Sequence, residues 1–309
     1  MSVPTAAIKS KSRTRLRSKQ LNNFPRLHIP VILFIVLTTQ IPFLANVFLS
    51  AHSWNLLLPY LGFKLVWVSN YWNLLTSAAF WQALGVTAFI TIGTTILALI
   101  VGGLTAWLLS YDFPGSSVLS ALFTIPFLTM PTVSALMWKD QMFNPSFGLV
   151  DWLVGRFGVH GVAWLSSAPK VVILIAGVWQ WTPFAMLILL AGFQSIPVEV
   201  VDAAQVDGVN WRQRFMFIEL PFMRRYIEVA ALFLILFTMQ TFGKIYILTQ
   251  GGPGTESTNL PYMTYQSGFV TWEMGTAAAL GVITVAISLI VINYLWKLLR
   301  FGISENTES

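Results

Sequence analysis

Long apolar runs alternate with short polar connections along this chain. The runs fall at roughly 29–51, 81–110, 117–138, 170–193, 228–249 and 275–298. A helix that crosses the hydrocarbon core needs about 20 mostly apolar residues. Each run therefore predicts a membrane helix, and the predicted fold class is all-α, a polytopic bundle of about six spans. The third run is the weakest, because Pro126 and Pro131 interrupt it. Proline is tolerated in such a helix when neighbouring helices or cavity water satisfy the freed carbonyls.

The longest polar, charge-balanced segment between the runs is Ile196–Pro221. Pro197 suits the first turn of a helix, where its missing N–H is unpaired in any case. Val198–Val206 continues that helix, and Asp207-Gly208 stops it with a glycine for a left-handed cap. Asn210 caps a second helix over Trp211–Leu220, and Pro221 is expected to end it. Val200, Ala203 and Ala204 share one stripe of the first helix, and small side chains there allow close approach of a partner. Glu199, Asp202, Asp207 and Glu219 are expected to be matched by Arg212, Arg214, Arg224 and Arg225. The pattern is that of a docking element, as opposed to a solvated loop lying on the membrane.

Composition makes the membrane reading firm. The chain has 309 residues, 56% of them hydrophobic and 10% charged, whereas charged residues make up about 25% of a soluble domain. No cysteine is present, which excludes disulfides, thiolate metal sites and cysteine nucleophiles. The net charge of +6 is a local feature: seven lysines and arginines precede residue 28, with no acid among them. The rest of the chain carries 11 basic and 12 acidic side chains, so the basic balance is a tail and not a nucleic-acid surface. The expected organisation is a basic tail over 1–27, a transmembrane domain over 28–300 with its loop at about 196–225, and a short tail over 301–309. With the N-terminus inside, 13 of the 18 lysines and arginines fall on the inner side, as the positive-inside rule requires. Both termini are then expected in the cytoplasm, with membrane lipid around the spans.

The inner segment resembles a known family. Asp202-Ala203-Ala204, then Asp207-Gly208, then Phe215, Ile218 and Leu220-Pro221 resemble the EAA loop of permease subunits of bacterial ATP-binding-cassette importers. Asp202 stands where that pattern usually has glutamate, and Val209 where it commonly has alanine. Further likenesses are to carbohydrate-type (maltose/sugar-type) permeases: Asn70-Tyr71 with Phe80-Trp81, Phe143–Gly148, Leu248–Pro253, and Gly275 with Ala277–Ala279. They occur in the right order over about residues 65–300. The resemblance implies a type I importer bundle in a bacterial or archaeal plasma membrane, paired with a second, homologous permease subunit. It also implies two ATP-binding-cassette ATPase subunits on which the EAA loop (Asp202, Ala203, Ala204, Asp207, Gly208, Leu220, Pro221) docks. An extracytoplasmic solute-binding protein would deliver a sugar, oligosaccharide or polyol.

The residues themselves restrict the energy source. The phosphate-binding pattern G-x-x-x-x-G-K-[ST] is absent, and Gly251–Gly254 lacks the lysine. ATP and magnesium, if used, belong on a partner chain, and no cofactor is expected on this one. An ion-coupled secondary carrier is the alternative, but such a carrier usually needs an ionisable residue inside a span. The first four runs carry no internal acid, Glu228 starts the fifth, and Lys244 lies near its outer end. His28, His52 and His160 are scattered without metal-ligand spacing, so neither a metal site nor an enzyme is expected.

A polyhydroxy substrate is held by stacking aromatics and hydrogen-bonding side chains in a concave site. The fourth run carries Trp179, Gln180, Trp181, Thr182 and Phe184 around Pro183, the fifth Thr238, Gln240, Thr241 and Phe242, and the third Thr132 beside Pro131. The likeness to maltose-type permeases implies sugar contacts at Trp181, Phe184, Thr238 and Thr241, with Gln240 beside them. Threonines bonding their own helix are the competing reading for those side chains. The scarcity of buried charge favours a neutral substrate.

Overall fold

The computed structural model describes residues 24–111 and 113–304, and side-chain surroundings between 29 and 297. The tail charges from Lys9 to Lys19, the side chain of Arg26 and residues 305–309 lie outside the described residues. The chain is helical almost throughout. Its elements that frame the bundle and the site are α1 (Ile29–Ser50), α2 (Ala78–Leu109), α3 (Ser116–Leu128), α4 (Pro131–Met137), α5 (Pro169–Gln194), α6 (Val198–Val206), α7 (Trp211–Arg214), α8 (Leu220–Met239), α9 (Gly243–Leu248), α10 (Leu260–Tyr265) and α11 (Met274–Ser304). The last helix thus runs past the residue-298 end of its apolar run.

Four of the expected spans appear as single apolar helices long enough to cross a bilayer: α1, α2, α5 and the Met274–Lys297 part of α11. Two expectations need correction. The third run is broken: α3 and the Pro131–Met142 segment meet at an angle of 98°. Pro131 opens α4, and Thr129 and Met130 turn to extended conformations before it, as the residue ahead of a proline prefers. The fifth run is shifted. Its helix starts at Leu220, carries Arg224, Arg225 and Glu228 in its first half, and stops at Met239. The chain then unwinds through Gln240–Phe242 before α9.

The bundle is built around α2 and α5, the most extensively packed pair. Hydrophobic burial from water cannot drive this packing inside a membrane, so close approach and dispersion must. Small residues permit it: a Cβ on Gly102 would lie 2.8 Å from Ala185 Cβ and 2.9 Å from the Thr182 carbonyl oxygen. Toward one end, Ile90, Ile173, Trp138, Phe143, Ile245 and Tyr262 form the largest core cluster. Toward the other, Ala106, Met186, Leu189 and Met223 close the pair against α8.

α11 is held to α1 by the segment between α1 and α2. A two-residue ribbon pairs His52–Ser53 (β1) with Lys64–Leu65 (β2), antiparallel. Met274 N–H donates to Trp54 O at 2.9 Å, and Asn46 Nδ2 donates to Ala278 O at 3.2 Å. The backbone of His52 comes so near Gly275 that a Cβ there would collide with its carbonyl. The remainder of α1 leaves Ile29, Phe34, Leu44 and Phe48 exposed.

Candidate functional site

The polar segment folds as a helix–turn–helix. α6 spans the predicted Val198–Val206, with Pro197 one position ahead of it as N-cap. Gly208 has φ +71°, the left-handed conformation in which a Cβ is penalised. The Val209 N–H then reaches back to Ala204 O at 3.0 Å, closing the helix end. Asn210 caps α7 reciprocally with Gln213: Gln213 N–H donates to Asn210 Oδ1 at 3.0 Å, and Asn210 N–H donates to Gln213 Oε1 at 3.1 Å.

Pro221 does not end the second helix. Phe215–Glu219 forms a π turn, in which the Leu220 N–H bonds Phe215 O, and α8 continues from it with Pro221 in its first turn. The wider π turn makes room for the ring, so the helix passes Pro221 although its missing N–H leaves one helical hydrogen bond unmade. The helix is therefore continuous from the docking segment into the bundle.

The charge pairing also departs from expectation. Glu219, 5% exposed, lies 2.8 Å from Arg214 Nε and accepts a hydrogen bond from Trp107 Nε1 at 3.1 Å. The Arg214 Nε–H is not aligned on the carboxylate, so this is a charge contact more than a directed hydrogen bond. Arg214 also donates to Tyr111 Oη. Arg224 pairs with Glu228 at 2.9 Å, whereas Glu199, Asp202 and Asp207 have no ion-pair partner among the described residues. Trp107 and Tyr111, at the end of α2, thus clamp α7 to the bundle, with Trp107 ring centroids 6.1 Å from Trp211 and 5.9 Å from Phe215. Neither residue stands out in the sequence, because a tryptophan at a span end reads as an interface anchor.

The expected small-residue stripe splits. Ala204 is 4% exposed and turns inward, while Val200 and Ala203 face outward. Bare apolar side chains replace it as the outward feature: Val206 is 88% exposed and Phe217 78%, with Val198 and Trp211 also uncovered. Leu220 and Pro221 are exposed as well.

The predicted substrate residues are brought together only in part. A cavity of about 180 Å³ is lined by Pro131, Gln180, Trp181, Phe237, Gln240, Thr241, Phe242, Gly243 and Lys244. It lies where α4 begins, where α5 passes, and where the fifth run unwinds. Trp181, Gln240 and Thr241 reach it. Trp181 stacks on Phe237 with centroids 5.1 Å apart and planes 7° from parallel. Phe184 sits behind, against Phe127, Phe233 and Phe237. Thr132 is near the rim, its hydroxyl 3.7 Å from where a Cβ of Gly243 would be. Thr238 is turned away: it is buried and donates its hydroxyl to Leu234 O at 2.6 Å. Lys244, placed by the sequence near the end of the fifth run, is 3% exposed and lines the cavity. A larger groove between α2, α3 and α5 has an almost wholly apolar lining, including Leu97, Phe123, Ile175 and Val178, and presents no chemistry.

These two features, a buried polar cavity where helices break and an amphipathic helical pair at the foot of a span, are what a substrate-moving subunit requires. Residues 99–303 match the family described as binding-protein-dependent transport system inner membrane component. The chain belongs to that family. It is therefore a permease, the membrane-spanning transport subunit of an ATP-binding-cassette importer, and ATP hydrolysis is the task of other chains. The permease is 34% identical over 306 residues to a probable ABC transporter permease, y4oQ, of Sinorhizobium fredii, covering 98% of this chain and 97% of that one. It is 31% identical to the trehalose/maltose transport system permease MalF of Thermococcus litoralis, over 83% of this chain and 86% of that protein. Its fold matches a chain of a bacterial alginate ABC transporter solved in complex with an alginate pentasaccharide-bound periplasmic protein. That match has a TM-score of 0.76 and 17% identity, and covers 91% of the permease and 96% of the other chain.

Proposed function

We propose that the permease carries a sugar, oligosaccharide or polyol, handed to it by an extracytoplasmic binding protein, and that its α6–α7 segment is seated on a partner ATPase. The relative named for trehalose and maltose and the fold neighbour crystallised with a periplasmic protein support this reading. The observation that carries it is the uncovered apolar face around Val206 and Phe217, on a segment rigidly continuous with α8. Apolar side chains left bare beside a charged surface mark a docking site. Motion of a seated α6–α7 is transmitted along the unbroken π turn into α8, whose far end unwinds at the cavity. The cavity lies between the elements that such a movement shifts: α4, α5 and the Gln240–Phe242 break. Two ATPases and a second homologous permease complete the assembly, magnesium and ATP reside on the ATPases, and the α6–α7 side and both chain ends face the cytoplasm.

Val206→Asp and Phe217→Asp test the docking face, since neither side chain packs inside the permease. Both variants are expected to reach the membrane and to lose the ATPase subunits on purification, with uptake reduced at least tenfold. Retention of the ATPase at the wild-type ratio in both would remove the docking assignment.

A further inference from the structure

The cavity holds a lysine that no acidic side chain among the described residues faces. Lys244 is 3% exposed, and among the described residues no aspartate or glutamate lines the cavity with it. The ion pairs among the described residues are Arg214–Glu219 and Arg224–Glu228, so Lys244 takes part in none. An ammonium group held in such a place without a carboxylate is disfavoured, and ionisable residues inside a membrane bundle mark substrate or ion pathways. A second polar group of the same cavity is also unsatisfied. Gln180 uses its Nε2 to donate to Thr129 O at 2.9 Å, but its buried Oε1 has no partner. Gln240 and Thr241 add further hydrogen-bonding groups, and Trp181 and Phe237 supply an aromatic wall.

We infer that the substrate of this permease is an acidic sugar or polyol, one whose carboxylate, sulfonate or phosphate group is met by Lys244 while a hydroxyl donates to Gln180. Each half of that ligand satisfies one group the chain leaves open. The aromatic wall takes the apolar face of the sugar, as it would for any saccharide. Lys244 confers selectivity for the anion because a neutral analogue leaves the buried ammonium unpaired. The inference rests on the sugar-import reading and sharpens it.

The test uses the complete importer, purified with its partner subunits and binding protein and reconstituted in lipid nanodiscs. ATP hydrolysis is followed with matched pairs of probes: glucose against glucuronate and glucose 6-phosphate, maltose against its acidic disaccharide counterpart, and glycerol against glycerol 3-phosphate. An acidic member of at least one pair is expected to stimulate hydrolysis at least tenfold more than its neutral counterpart. Lys244→Met is expected to abolish that stimulation, and Lys244→Arg to keep a substantial part of it. Stimulation by neutral members alone overturns the inference. So does a Lys244→Met complex that still responds to the acidic member as wild type does. The wild-type comparison needs no variant and decides even if Lys244→Met fails to assemble. A complex that responds to none of the pairs, neutral or acidic, contradicts the sugar-import reading itself.

Discussion

At the scale of single residues, hydrogen bonding separates the side chains that can meet a substrate from those already committed. Trp181 presents its ring to the cavity, stacked on Phe237. Thr238 spends its hydroxyl on Leu234 O within its own helix, a use that threonine often finds in membrane helices. The two therefore respond differently to mutation. Thr238→Val keeps the shape and is expected to leave substrate uptake within about twofold of wild type, since the backbone carbonyl it frees still has its helical donor. Trp181→Ala removes the aromatic wall and is expected to cut uptake by tenfold or more, measured in the same cells at equal permease abundance. Equal loss in both would place Thr238 in the pathway after all. The likeness to maltose-type permeases pointed to Trp181 and Thr241, with Gln240 beside them, and these three line the cavity. It could not orient Thr238, because one rotamer separates a hydroxyl that faces a ligand from one that faces its own backbone. Lys244 was visible too, but its burial depends on the unwinding at Gln240–Phe242, which an apolar run does not announce.

At the scale of elements, local signals were legible wherever a residue acts on its own backbone. Val198–Val206, the Gly208 turn and the Asn210 cap follow from proline, glycine and asparagine chemistry and stand as expected. The second helix does not end at Pro221 because the π turn ahead of it accommodates the ring, a device the sequence does not announce. The break in the third run was legible as an interruption, though not as a 98° turn. The Gly208 conformation gives a sharp expectation. At φ +71° an asparagine is tolerated and a β-branched residue is strained by roughly 1–2 kcal/mol. Nothing lies within 4 Å of where a Cβ would be, so sterics with neighbours do not confuse the result. Gly208→Asn should retain most substrate-stimulated ATP hydrolysis in the purified complex, while Gly208→Val and Gly208→Pro should lose most of it with the permease still in the membrane. Ala204→Arg is a different experiment, because Ala204 faces inward and the change would disrupt the fold of the loop before it touched a partner.

At the scale of the whole molecule, the question is where force enters. An ion-coupled carrier would bind its driving ion within the bundle, and coupling to protons needs an acid that can gain and lose one inside it. Here Glu228 is occupied by Arg224, Glu219 by Arg214 and Trp107, and among the described residues the cavity has a lysine and no acid in its lining. The chain carries no phosphate loop either. What it does have is one continuous helical path, from the exposed α6–α7 pair through the π turn into α8 and on to the unwound segment at the cavity. Such a path suits a push delivered from outside the bundle by a partner. In proteoliposomes that contain the full complex, uptake should therefore continue when ionophores collapse the proton and sodium gradients, and should stop when internal ATP is removed by hexokinase and glucose. The reverse pattern, uptake that survives without ATP and vanishes with the gradient, would mean that the helical path transmits nothing and that an ion site lies in backbone left open by the broken helices.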